Sequence, residues 1–70
     1  MSVNVSINGT SHSLSEDSTL ADAASLFGVT PGESGIAAAV NGRVVPRRNW
    51  TSTPLGNGAI VEVVRATAGG

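Results

Sequence analysis

The sequence predicts an α+β domain in which a single helix covers one face of a sheet of about five strands. Two Asn-Gly pairs, Asn8-Gly9 and Asn41-Gly42, each separate two short runs that favour β-structure, as expected for hairpins. One run between the hairpins has apolar residues at helical spacing, and an apolar run near the end of the chain alternates as a strand does. The 70 residues have room for one such domain, which we place over residues 1–65.

The first hairpin is predicted from alternation. Apolar residues at positions 3, 5 and 7 alternate with polar residues, which is the period of a strand with one buried face. We expect strands over residues 3–7 and 10–14, joined by the two-residue turn. His12 lies between serines in the second strand, where a solvent-exposed histidine is a more frequent outcome than a metal ligand or a base.

The helix is predicted over residues 20–27. Thr19 can cap its first turn, and Asp22 can accept from the Thr19 N–H while favouring the positive end of the helix dipole. Gly28 is placed for a left-handed C-terminal cap. The stripe positions i, i+3, i+4 and i+7 are all apolar: Leu20, Ala23, Ala24 and Phe27. The expected core combines this stripe with the inward strand positions: Leu20, Phe27, Val5, Val61 and Val63.

The second hairpin has predicted strands over residues 36–40 and 43–45. Residues 36–40 form the longest strictly apolar run of the chain, which fits a buried strand. Pro46 ends the fourth strand, because proline has no N–H to donate to a ladder. The turn-forming residues between 47 and 57 predict a loop with one short helical turn around Trp50.

The last strand is predicted over residues 59–65. Its alternation places Val61 and Val63 on one face, and Ile60, Glu62 and Val64 on the other. No second layer is expected over that other face, so its apolar side chains are candidates for docking a partner. Residues 66–70 hold no large side chain, and we expect them to form a flexible tail.

Composition and charge exclude several classes of function. The formal net charge is −1, and the chain has four arginines and no lysine, too few for the basic surface of a nucleic-acid binder. One Trp and one Phe are also too few for the rings on which bases would stack. The absence of cysteine and the single histidine exclude disulfides and ordinary zinc sites. No serine-hydrolase elbow occurs, and no apolar run is long enough to span a membrane. A cytoplasmic protein is therefore the default expectation.

Two stretches carry a resemblance to a known family. Residues 40–50, VNGRVVPRRNW, and residues 61–70, VEVVRATAGG, resemble the ThiS family of sulfur carriers in thiamine biosynthesis. The most specific part is Val45-Pro46-Arg47 followed by Trp50, because a terminal Gly-Gly is shared with the molybdopterin-synthase small subunit MoaD and with ubiquitin. Ala59 departs from the pattern, since many members have an acidic residue there. The resemblance covers the whole chain.

The resemblance implies a specific fold. It is the β-grasp, or ubiquitin-like, fold, a mixed sheet of about five strands with the first and last strands side by side. Periodicity alone leaves a ferredoxin-like half or another small α+β roll open.

The resemblance also implies a chemistry at the end of the chain. The carboxylate of Gly70 would be adenylated and converted into a thiocarboxylate that gives its sulfur to thiazole synthase. Gly69 and Gly70 suit this task because residues without Cβ can pass through a narrow channel in any conformation. The implied partners are a ThiF-like adenylating enzyme that uses ATP, a ThiG-like thiazole synthase, and a cysteine desulfurase or rhodanese-type sulfur source. The chain would be a carrier, monomeric when free, without a cofactor or catalytic residues of its own.

Candidate docking residues lie in two parts of the sequence. They are Ile60 and Val64 in the last strand, and Arg47, Arg48 and Trp50 before it. Trp50 either packs in the core or anchors a partner, and the two arginines are either solvated charges or docking contacts. Two other functions stay open: a carrier for molybdopterin, tRNA thiolation or cysteine synthesis, and a ubiquitin-like modifier or binding domain. Because the chain has no lysine, it could not build chains on its own side chains.

Overall fold

The structure is a computed structural model that describes residues 1–30 and 32–66. Every predicted element is present. Where the range of a strand or of the α-helix departs from the prediction, it does so by one residue at one end. The elements in chain order are β1 (Ser2–Ile7), β2 (Thr10–Ser15), α1 (Leu20–Leu26), β3 (Ile36–Val40), β4 (Arg43–Val45), a 3₁₀ helix (Arg47–Ser52) and β5 (Ile60–Arg65).

The five strands form one mixed sheet in the order β2-β1-β5-β3-β4. β1 and β5 are parallel neighbours, with Ser6 opposite Ile60 and Ile7 opposite Val61, whereas all other pairs are antiparallel. The first and last strands therefore lie side by side, and the β-grasp arrangement implied by the resemblance is confirmed. Among the described residues, no helix is long and apolar enough to cross a membrane.

Both Asn-Gly turns fasten the central strand β5. Asn8 and Asn41 have positive φ angles of 51° and 52°, as the turns require. The Asn8 amide continues the β1–β5 ladder: its Nδ2 donates to Val63 O at 2.9 Å and its Oδ1 accepts from Val63 N at 2.8 Å. On the other side of β5, Ile60 N donates to Asn41 Oδ1 at 2.9 Å. The sequence predicts the turns but not these long-range bonds.

The helix ends in a Schellman motif. Gly28 has φ 99°, its N–H donates to Ser25 O at 3.0 Å, and the N–H of Val29 donates to Ala24 O at 3.0 Å. This turn brings the chain back so that Val29, 7% exposed, enters the core beside α1. The predicted left-handed cap at Gly28 is confirmed.

The core lies between α1 and the inner face of the sheet. Phe27 was expected there and that prediction is wrong: the helix ends at Leu26, Phe27 is the C-cap, and its side chain is 37% exposed. Val29 takes the core position instead, as the hydrophobic contact of a Schellman turn commonly does. The buried residues are Val5, Ile7, Leu20, Ala23, Ala24, Val29, Ala38, Trp50, Leu55, Ala59, Val61 and Val63.

Candidate functional site

An apolar patch lies on the sheet face opposite α1. Ile60, Val64 and Val44 are 55%, 60% and 71% exposed, which is unusual for large aliphatic side chains. Strand register joins them through two alanines, because Ala37 lies opposite Val64 and Ala39 lies opposite Val44. We call these five residues the outer patch. The outward positions of Ile60 and Val64 agree with the alternation in the sequence.

Glu62 lies within the outer patch. It is exposed and lies opposite Ala39 on β3. Together with Ala37, Ala39, Val44 and Val64 it lines a shallow depression. A carboxylate surrounded by aliphatic groups would favour a partner surface that is apolar and carries a cation.

The other half of the same sheet face is polar. Asn4 and Ser6 on β1 lie opposite Ser13 and Ser11 on β2, and all of these positions carry hydroxyl or amide groups. The boundary runs between β1 and β5, where Ser6 is opposite Ile60. The apolar surface is therefore confined to β5, β3 and β4.

Sequence reasoning missed part of the outer patch. Ala37, Ala39 and Val44 were not among the expected docking residues. Five consecutive apolar residues in β3 carry no alternation that could show which side chains face outward, and β4 has only three residues. Register against β5 assigns the faces, and register is a tertiary property.

The end of β5 is bound to the loop between α1 and β3. Arg65 Nε lies 2.7 Å from Glu33 Oε2, which is the one ion pair among residues 1–30 and 32–66. Ala66 N donates to Gly35 O at 2.6 Å. The guanidinium carbon of Arg65 lies 5.7 Å from the centre of the Phe27 ring. These contacts hold the tail root, which we define as Arg65 and Ala66.

Glu33 is the acceptor at the centre of these contacts. Its Oε1 accepts from the backbone N–H of Thr30 at 3.1 Å, and its other oxygen accepts from Arg65. These two hydrogen bonds favour the ionised carboxylate, so they hold the pKa of Glu33 below its ordinary value. Glu33 therefore carries its charge throughout the neutral range.

The predicted tail lies almost entirely outside the described residues. Of residues 66–70, the structure describes Ala66, which is exposed. Gly69 and Gly70, the residues expected to carry the chemistry, are outside it. The site that the structure shows is therefore the tail root together with the outer patch, two residues of which, Ile60 and Val64, lie on the same strand as Arg65.

Trp50 and Arg47 make intramolecular contacts. Trp50 is 3% exposed, and its indole Nε1 donates to Val45 O at 2.9 Å. Arg47 lies over the Trp50 ring with its guanidinium carbon 4.5 Å from the ring centre, and its Nη1 donates to Glu33 O at 2.6 Å. These contacts support the packing interpretation of Trp50, whose ring offers a partner almost no surface.

The expected docking residues do not form one surface. The 3₁₀ helix that carries Arg47, Arg48 and Trp50 packs against α1, whereas Ile60 and Val64 face away from α1. Arg48 is exposed on that helix. A groove of about 250 Å³ lies between α1 and the 3₁₀ helix, lined in part by Ala24, Arg47 and Trp50.

The sequence has one histidine, His12, as a possible ligand or base. His12 is half-buried on the edge strand β2, opposite Val5. Within residues 1–30 and 32–66, no group of three or more His, Cys, Asp or Glu is placed to hold a metal ion. What the described arrangement supplies is a sheet with an exposed apolar patch and a strand end that is hydrogen-bonded to a neighbouring loop.

Comparison with known proteins identifies the family. The protein-family model described as "ThiS family" matches residues 3–70 of the sequence. The chain belongs to the ThiS family. A solved structure, the thiamine biosynthesis protein (ThiS) from Geobacter metallireducens, superposes with a TM-score of 0.75 and 23% identity, covering 97% of this chain and 100% of that one. At this identity the match supports the β-grasp fold alone. No curated protein matches the chain closely enough in sequence to count as a relative.

Proposed function

We propose that this ThiS family member is a sulfur carrier of thiamine biosynthesis, with the carboxylate of Gly70 as the group that carries sulfur. The observation that supports this most is the extent of the family match, which runs from residue 3 to residue 70 and so includes the Gly-Gly pair with the domain. On this proposal the chain is a substrate and sulfur donor for partner enzymes and is not itself a catalyst.

The chemistry begins with activation of the Gly70 carboxylate. Oxide is a poor leaving group, so the carboxylate attacks the α-phosphate of ATP, pyrophosphate leaves, and an acyl adenylate forms. The terminal sulfur of a partner persulfide then attacks the acyl carbon and expels AMP, giving an acyl disulfide. A second partner thiol attacks the disulfide, forms a new disulfide with the partner sulfur, and releases the thiocarboxylate. The thiocarboxylate sulfur is the nucleophile that thiazole synthase receives.

The partners supply everything that this chain lacks for these steps. The chain contains no cysteine, so the persulfide and the resolving thiol belong to other proteins. We assign adenylation to a ThiF-like enzyme, the sulfur supply to a cysteine desulfurase or rhodanese-type protein, and acceptance of sulfur to a ThiG-like thiazole synthase. We expect the exchange to take place in the cytoplasm.

The outer patch is the surface we assign to docking on the adenylating enzyme. Ile60 and Val64 are exposed on β5, the strand whose far end is the tail root. A partner that binds the patch therefore also fixes where the tail begins. Burial of exposed aliphatic groups supplies affinity, and Glu62 within the patch adds a charge that selects the partner.

The test of the proposed function is the intact mass of the carrier. We expect incubation with a ThiF-like enzyme, ATP and a sulfide source to exchange one oxygen for one sulfur, and omission of ATP to prevent the exchange. Transfer is then measured by adding thiazole synthase or, as the matched alternative, the molybdopterin-synthase large subunit. Sulfur transfer to the second acceptor alone would contradict the assignment to thiamine, and no mass change would contradict the carrier role.

A further inference from the structure

We propose that Glu33 and Arg65 form a clasp that fixes the direction in which the chain leaves β5, and that the clasp positions Gly70 for the adenylating partner. Both are positioning residues, since neither contacts the reacting atoms. The proposal rests on the proposed function, because it concerns delivery of the same carboxylate.

The clasp holds the tail root by several contacts of different kinds. Besides the 2.7 Å ion pair with Glu33, Arg65 Nη2 makes a longer contact of 3.4 Å to Gly28 O. The next residue, Ala66, is bound through its N–H to Gly35 O. A Cβ built on Gly35 would lie 3.7 Å from the Ala66 Cβ, so the two backbones pass close together. The last described residue therefore has a defined position and direction.

The loop side of the clasp is anchored independently. Arg47 donates to Glu33 O at 2.6 Å and contacts Thr30 O at 3.5 Å, while its guanidinium lies over the buried Trp50 ring. The Glu33 side chain also accepts from the Thr30 N–H, which closes a local turn. Glu33 is thus held to the 3₁₀ helix on one side and to β5 on the other.

The short reach of the tail makes this direction matter. Gly70 follows Ala66 by four residues, which span about 14 Å at most when fully extended. When a partner is bound to the outer patch, a change in the direction of the tail root would shift the region that Gly70 can reach. The shift would be comparable with the length of the tail itself. The tolerance of a reacting geometry is far smaller. Because the clasp already restrains the tail root, less conformational entropy is lost when the tail enters the adenylating site.

An alternative is that Arg65 contacts the partner directly, since its side chain is 46% exposed. The two interpretations differ in whether Glu33 and Arg65 act as a unit. If the pair works as a clasp, removing either partner removes the whole effect, and a second removal adds nothing. If Arg65 acts alone, Glu33→Gln leaves kcat/KM unchanged and the double variant behaves as Arg65→Gln does.

The experiment is a double-mutant cycle with Glu33→Gln, Arg65→Gln and the double variant. Glu33→Gln keeps an oxygen that can accept from the Thr30 N–H but removes the charge facing Arg65. Glu16→Gln is the matched control, because Glu16 is exposed and follows β2 at the end of the sheet opposite Ala66. The measurements are kcat/KM for thiocarboxylate formation, affinity for the adenylating enzyme without ATP, and hydrogen exchange of the Ala66 amide.

We expect each single variant to lower kcat/KM about 3- to 10-fold, the double variant to be no worse than either, and the affinity to change little. The Ala66 amide should exchange faster, and Glu16→Gln should behave as the unaltered chain. Multiplying effects, or unchanged kcat/KM in either folded single variant, would overturn the clasp while leaving the carrier role intact. Failure of the unaltered chain to acquire sulfur would overturn both.

Discussion

Trp50 belongs both to the segment that resembles the family and to the buried core of the fold. Within the segment Val45-Pro46-Arg47 and Trp50, the residues contact one another: the indole N–H donates to Val45 O, and Arg47 lies over the ring. Through Arg47 the same segment holds the loop that contains Glu33. The part of the sequence most typical of the family therefore contacts the loop whose Glu33 binds Arg65 of the tail root.

Phe27 and Leu20 should differ sharply in their contribution to stability. Leu20 is fully buried, so Leu20→Ala should lower the free energy of unfolding by about 2–5 kcal/mol. Phe27 is partly exposed past the last helical turn, so Phe27→Ala should cost only about 1 kcal/mol. Chemical denaturation of both variants measures the difference. A larger loss for Phe27→Ala than for Leu20→Ala would contradict the placement of Phe27 at the C-cap.

Glu33 should make stability depend on pH in a defined window. Its pKa in the folded chain is lowered from 4.5, so folding favours the ionised form. The resulting stabilisation is fully present above the unfolded pKa and is lost as pH falls through the folded pKa. We expect Glu33→Gln to melt below the unaltered chain at neutral pH, with the gap closing in acid. A gap that persists unchanged below both pKa values would show that the charge is not responsible.

At the scale of elements, the strands and the helix could be predicted because each has a local signal. Alternation gives β1 and β5, the Asn-Gly pairs give the two turns, and Thr19 with Gly28 bounds the helix. Strand order came from the family resemblance and not from periodicity.

The contacts that define the site have no local signal. Arg65 and Glu33 are 32 positions apart, and nothing in their surroundings pairs them before the loop and β5 are brought together. Phe27 was misplaced because the helical spacing of apolar residues extends one residue past Leu26, where the helix ends. Local sequence patterns therefore predict the strands and the helix of this chain. The contacts of the tail root depend on strand register and on the position of the loop, which are tertiary properties.

The outer patch should respond to charge where the polar half of the same face does not. Val64→Glu introduces a carboxylate among exposed aliphatic groups next to Glu62, and it should weaken binding to the adenylating enzyme at least about 10-fold, as loss of a central apolar contact can. Ser13→Glu is the control, because Ser13 is exposed on β2 in the polar half. Both variants should stay folded. Calorimetry that gave equal affinities for the two would place the docking surface elsewhere.

At the scale of the whole molecule, the sheet links the outer patch to the tail root. β5 is the central strand, it is bound by backbone ladders on both sides, and the Asn8 and Asn41 amides extend those ladders. Two patch residues, Ile60 and Val64, and Arg65 of the tail root therefore belong to one strand that is hydrogen-bonded on both sides.

Changes at Gly70 should separate chemistry from folding. Deleting Gly70, or adding one residue after it, moves the carboxylate by about 3.5 Å, which is large against the tolerance of a reacting geometry. Either change should abolish thiocarboxylate formation, seen as loss of the oxygen-for-sulfur exchange in the intact mass. The core residues and the clasp all precede Gly70, so the melting temperature should stay within about one degree of the unaltered chain. If the chain without Gly70 still acquires sulfur and supports thiazole formation, then Gly70 is not the carrier group.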